Sequence, residues 1–333
     1  QWYQNNVNSN VGGTPLVGQT SSSYLPPSST SGSNFYYCVL SFSVGGCSNI
    51  VSNPAEVFVV DDPMITNQPV LSQMICQGTT ILQPLTFSFS GGTGATSIAW
   101  YQLGTPNVLI NGVTDTSFLP ITFNSAGNYK YFAVVTDSGV GCDNTSTLNS
   151  EIIVNPTPYV DQLVDTVLCN NSRLNINIST TVPSNITWSA TQNISVTGEL
   201  TSTQTSFLID DSLTNNTSIP QFVNYTISPT SFPEGCPGPD SIVRVKVQPD
   251  IVLNNVPNVE ICSGSPVNAI LTANVPSTFN WFVSIDNPNV SGESLLPSTS
   301  NLITDRLVNN TSVNQIVVYS VFPVSIEGQC AGL

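Results

Sequence analysis

Cysteine is the residue type in this chain best suited to covalent chemistry, and its spacing is regular. Six of the eight cysteines fall into three pairs, Cys76 with Cys142, Cys169 with Cys236 and Cys262 with Cys330, separated by 66, 67 and 68 residues. First members recur every 93 residues and second members every 94. A period of that length matches one small domain, so the chain reads as tandem copies of a module. The spacing predicts one disulfide within each copy, worth roughly 4 kcal/mol in the chain-entropy account. It also predicts an oxidising, extracellular setting, because cytosolic thiols are kept reduced. Cys47 aligns with Cys142, and Cys38 aligns with Phe132. These two either bridge each other across a hairpin or pair with cysteines outside the sequence.

Other chemistry is sparse. With no histidine in 333 residues, the usual Ser/His/Asp and Cys/His nucleophile sets have no base. The cysteine spacing does not resemble the short hooks of a zinc site. Gly91-Gly92-Thr93-Gly94 is a loop in an all-β context rather than a phosphate loop opening a helix. No catalytic role is expected. The one cofactor candidate is calcium, at the carboxylate pairs Asp61-Asp62 and Asp210-Asp211; solvated turns are the preferred reading of both. Five Lys+Arg against twenty Asp+Glu give a net charge of −15, which argues against nucleic acid as a partner, since phosphate binding needs clustered cations.

The elements that hold the cysteines are strands. Leu174, Ile176 and Ile178 alternate with asparagines, and Val243, Val245 and Val247 alternate with Arg244 and Lys246, which places the two cations on the solvent side. Four tryptophans keep the repeat: Trp2, Trp100, Trp188 and Trp281. A core tryptophan beside an inter-sheet disulfide marks immunoglobulin-like sandwiches. A tyrosine-bearing strand precedes each second cysteine, at Tyr37, Tyr131, Tyr225 and Tyr319. The expectation is an all-β chain of antiparallel sandwiches. Its boundaries fall where valine-rich strands meet proline: residues 1–61 (truncated at the start), 62–156, 157–249 and 250–333 (lacking the last strand). Both incomplete ends mark an internal segment of a longer protein. Short linkers with proline favour a rod over freely swinging beads.

The later copies share motifs: Val196-Thr197-Gly198-Glu199 recurs as Val290-Ser291-Gly292-Glu293, and Asn215-Asn216-Thr217-Ser218 recurs as Asn309-Asn310-Thr311-Ser312. The earlier copies share others: Asn34-Phe35-Tyr36-Tyr37 echoes Asn128-Tyr129-Lys130-Tyr131, and Ser52-Asn53 before the last strand echoes Asn149-Ser150. The first part, with Gly12-Gly13-Thr14-Pro15-Leu16, Phe35-Tyr36-Tyr37-Cys38 and Gly46-Cys47-Ser48, resembles the Ig-like repeats of SprB-type giant surface adhesins of gliding Bacteroidota. Residues 157–333, with Leu168-Cys169, Thr187-Trp188, Asn224-Tyr225-Thr226 and Gly235-Cys236-Pro237-Gly238, resemble the PKD-like repeats of the same adhesins.

That resemblance implies export by the type IX secretion system, display on the outer surface, and movement by the gliding machinery of the outer membrane. It also implies an O-glycosylation pattern, Asp-Ser/Thr followed by an aliphatic residue, which fits Thr166, Ser212 and Ser241. The leading expectation is a structural and adhesive stalk whose partners are neighbouring repeats, that machinery and surface polysaccharide. The alternatives are a glycan- or protein-recognition module, and the accessory stalk of a secreted enzyme.

Overall fold

In a computed structural model the chain is built of β-strands, with no helix among the described residues, which are 1–139, 141–254 and 258–332. Two compact units divide it, Gln1–Asn155 and Pro156–Leu333. The fourth expected module, 250–333, includes residues 255–257 and 333, which lie outside the described set.

In the first unit, residues 1–61 form a sheet in which Trp2–Asn5 and Ala55–Val59 flank the central strand Gly32–Leu40. The following module has a sheet built on Gly127–Asp137, which pairs with Thr96–Gln102 on one side and Ser150–Asn155 on the other. Its core gathers Trp100, Phe87, Phe118, Tyr131, Val135 and Ile152.

The second unit holds two further cores. One centres on Trp188, Tyr225, Ile209, Leu213 and Val245, the other on Trp281, Phe279, Leu271 and Ile303. Strands Ser184–Ala190, Gln221–Ser231 and Ser241–Val247 form a continuous antiparallel ladder in the third module. Strands Ser277–Val283 and Tyr319–Ser325 repeat its first pairing in the fourth.

Not every pairing is antiparallel, as alternation alone suggested. The leading strand Ser72–Cys76 runs parallel to the last strand of its module, Ser150–Asn155, and Thr166–Leu168 runs parallel to Ser241–Val247. Leading and last strands both point toward the next module, so adjacency on one sheet edge makes them parallel. This polarity decides where each cysteine lies.

The recurring Val-Ser/Thr-Gly-Glu motif has a backbone cause. Gly198 sits at φ 99°, and a Cβ there would stand 1.9 Å from the Ser212 carbonyl oxygen; at Gly292, φ 92°, it would stand 2.1 Å from that of Arg306. Only glycine fits a left-handed backbone pressed against a neighbouring strand. Gly198→Ala is expected to cost the third module about 2–3 kcal/mol, from left-handed strain and overpacking together. Denaturant titration checks this; an unchanged midpoint would show that the strand moves aside freely.

Candidate functional site

The junction between the third and fourth modules carries a disulfide. Cys169 bonds to Cys330, 161 residues away. This corrects the expected bonds Cys169–Cys236 and Cys262–Cys330. The reason lies in the parallel pairing. Cys169 directly follows Leu168, which stands opposite Val247 at the far end of the last strand. Cys236 lies in the turn before that strand begins at Ser241. Seven residues of strand, roughly 20 Å, separate the two ends, whereas a disulfide needs Cα atoms within about 7 Å. Cys330 occupies the hairpin of the next module, which meets the end that carries Cys169, and the observed Cα separation is 5.4 Å.

Two cysteine sites therefore recur. The turn site closes a four-residue turn: Cys76, Cys169 and Cys262 accept hydrogen bonds on their carbonyls from the amides of Thr79, Ser172 and Ser265, at 3.1, 3.2 and 2.9 Å. The third residue of each turn has positive φ, Gly78 at 80°, Asn171 at 57° and Gly264 at 82°. At the hairpin site, the amides of Cys236 and Cys330 donate to the hydroxyls of Ser231 and Ser325, at 3.0 and 2.9 Å. Cys76 and Cys236 each take part in a disulfide as well. Cys38, Cys47, Cys142 and Cys262 are free thiols, so Cys142 and Cys262 do not carry the bonds expected of them, and Cys38 and Cys47 do not bridge each other.

The 169–330 junction is packed as well as stapled. Cys330 is buried against Ile251 and Val275, with Cys169 and Ala273 alongside. Lys246 pairs with Glu327 across the junction, and the side-chain amide of Gln248 donates to the Glu327 carbonyl at 3.3 Å. Lys246 thus serves the junction, not open solvent as alternation implied, and Arg244 lies over the Phe222 ring at 3.6 Å. The linker residues Val247, Gln248 and Pro249 are buried. Within the first unit, the Asp143 amide donates to the Asp62 carboxylate at 3.0 Å and the Gly92 amide to the Asp61 carbonyl at 2.6 Å. Cys142 adjoins this contact. Its thiol is pushed up by desolvation first, then by the charges of Asp137, Asp62 and Asp143.

The tryptophans are anchored alike. The indole N–H of Trp2, Trp100, Trp188 and Trp281 donates to the carbonyls of Ser21, Asp115, Ser206 and Ser300, at 2.9, 2.9, 2.8 and 2.8 Å. Trp100, Trp188 and Trp281 are buried, whereas Trp2 is half-exposed and belongs to no core. Each tryptophan faces a residue two beyond a tyrosine: Cys38, Ala133, Ile227 and Val321. This register makes Tyr36, not Tyr37, the first module's equivalent of Tyr131, and places Cys38 with Ala133, not Phe132. From Tyr36, Tyr131, Tyr225 and Tyr319, the hairpin cysteine follows by eleven residues in all four modules.

A buried clamp escaped the sequence reading. The Tyr225 hydroxyl donates to Asp211 at 2.8 Å, and the Leu200 amide donates to the same oxygen at 2.8 Å. Tyr319 and Ser294 repeat this on Asp305 at 2.9 and 2.8 Å. The constant fourteen-residue gap from aspartate to tyrosine is the signal that finds it. Of the calcium candidates, Asp211 is committed to this clamp, Asp210 pairs with Arg173, and Asp61 and Asp62 serve the first junction.

Burial, and next the hydrogen bond to Asp211, push the Tyr225 phenol far above its ordinary value; burial and Asp305 do the same to Tyr319. A raised folded value gives stability that is fully present below the unfolded tyrosine value of about 10 and is lost as pH rises beyond it. Denaturant midpoints are therefore expected to fall steeply above pH ~10. Tyr225→Phe is expected to flatten part of that fall and to cost about 1–3 kcal/mol at neutral pH by leaving Asp211 underbonded. An identical alkaline slope in the variant would remove the tyrosine from the explanation.

The three glycosylation candidates differ in access. Ser212 is exposed, though its Asp211 is buried in the clamp; Thr166 and Ser241 are half-buried. Asp165 accepts from the Arg244 amide at 2.9 Å, and Asp240 accepts from the Ser228 hydroxyl at 2.5 Å.

The PKD-like domain family matches residues 166–251 and 259–333, the third and fourth modules. No curated protein matches the chain. Among solved structures, an E-to-A variant of titin domains I67–I69 is 14% identical with a TM-score of 0.37, over 82% of this chain and 96% of that one. Extracellular domains 3–5 of Drosophila OTK are 13% identical, TM-score 0.24, over 81% and 95%. Cadherin domains 3–6 of protocadherin gamma B2 are 11% identical, TM-score 0.35, over 90% and 82%. These are likenesses of fold alone. The chain is an all-β tandem-repeat protein of immunoglobulin-like and PKD-like β-sandwiches, of which the third and fourth modules match the PKD-like domain family.

Proposed function

We propose that this chain is a load-bearing stalk segment of a very large cell-surface adhesin, exported by type IX secretion and moved along the cell in gliding. The observation that supports the reading best is the Cys169–Cys330 bond, which joins successive modules across a packed linker. Such a bond carries tension past the cores instead of through them.

Antibodies raised against the chain test the proposal on living, unpermeabilised cells of the source organism. Labelled spots that travel along the cell are expected. Label that stays fixed would sink the gliding role, and label seen only after permeabilisation would sink surface display. A specific hit on a glycan array by the same chain would favour recognition over a passive stalk.

A further inference from the structure

We infer that Cys262 and Cys142 are bonding positions of the same inter-module ladder. Cys262 takes the hairpin cysteine of a PKD-like or Ig-like module that follows, and Cys142 takes the turn cysteine of the module that precedes its own. The inference is independent of what the stalk carries.

Three observations carry it. First, Cys262 sits in the same turn as Cys169, with the same carbonyl hydrogen bond and the same positive φ two residues on, and Cys169 is bonded one module ahead. Second, pairing within a module is closed to both thiols. Cys330, the hairpin cysteine of the fourth module, is spent on Cys169, while Cys262 stays exposed and free. Cys76, the turn cysteine of the second module, is already disulfide-bonded, while Cys142 is free. Third, Cys142 lies at the junction with the module before it. Its neighbour Asp143 is held by Asp62 of the linker, just as Cys330 packs on Ile251 at the start of its own module.

The geometry generalises. Cys169, a turn cysteine at the far end of its leading strand, meets the hairpin of the following module at Cys330, and the proposed ladder extends that staple to Cys262 and Cys142. Bond formation removes two protons and two electrons from the paired thiols. They pass to an oxidant of the thiol-exchange class: its disulfide is attacked by one thiolate, the mixed disulfide is attacked by the other, and the oxidant leaves as a dithiol.

The test extends the full chain. Residues 240–333 are appended after Leu333, which gives the fourth module a following neighbour; the appended copy carries Cys262→Ser, so that one turn cysteine is in question. Both chains are oxidised with a dithiol–disulfide catalyst, alkylated, cleaved after glutamate and mapped without reduction. Cleavage after Glu327 distinguishes the two hairpin peptides, because one continues into Asp240 and the other ends the chain. Cys262 is expected to be alkylated in the 333-residue chain and, in the extended chain, bonded to the terminal hairpin peptide. Substituting Cys262→Ser in the original position as well is expected to leave that terminal cysteine alkylated. Three results overturn the inference: Cys262 alkylated in the extended chain, Cys262 bonded to Cys330, or Cys169–Cys330 lost from the extended chain.

Discussion

Pulled between handles at Tyr159 and the C-terminal end, the oxidised chain is expected to lengthen very little as its last two cores unfold. After full reduction it is expected to gain about 540 Å. The Cys169–Cys330 bond spans 161 residues, and each residue released from the closed loop contributes ~3.4 Å of contour. Under tension the force runs along the few residues before Cys169, across the sulfur bridge and out after Cys330, so the third and fourth modules lie off the load path. Closing a loop of this length also stabilises by about 5 kcal/mol in the chain-entropy account. Cys330→Ser is expected to reproduce the long release without reductant. Full release from the oxidised wild-type chain would show that the bond is absent, and with it the physical basis for a stalk that resists extension.

This bond shows where sequence reading stops. Constant spacing identified the module, its length and which residues recur. The alternation at Leu174–Ile178 and Val243–Val247 identified strands, and the Trp188 and Trp281 cores followed from the same periodicity. But a repeating pattern looks the same when shifted by one period. Pairs 66 to 68 residues apart and pairs 161 apart satisfy it equally, and nothing in the residues Leu168-Cys169 tells which end of the sandwich they occupy. That depends on the leading strand running parallel to the last, a long-range pairing whose few residues, Thr166–Leu168, carry little pattern of their own. Lys246 was misplaced for a related reason. Alternation gives the face of a strand, and that face became a junction only once Glu327 of the next module arrived. Trp2 fails as a core residue because the register that buries an indole needs a second layer, and residues 1–61 show a single main sheet.

Whether the stapled modules unfold together is answered by removing one indole. Trp188→Ala is expected to cost the third module about 4 kcal/mol, the range for losing a buried aromatic. Trp188 packs edge-on against Tyr225, with ring centroids 5.8 Å apart, and its N–H satisfies the Ser206 carbonyl, so truncation opens a cavity and strips a partner from a buried acceptor. The fourth module holds the matching pair Trp281–Tyr319 at 5.7 Å, which makes Trp281 an internal reporter. Its core is separate from that of the third module, and the two meet through the small cluster around Cys330, Ile251 and Val275. A contact that small transmits only part of a 4 kcal/mol loss. In denaturant, hydrogen exchange across Gln221–Ser231 should therefore shift by nearly the full amount, while Trp281 emission shifts by much less. Equal shifts would instead make the two sandwiches one cooperative block, with the disulfide fastening a single body. A loss under 1 kcal/mol would mean that the indole is not what organises the core.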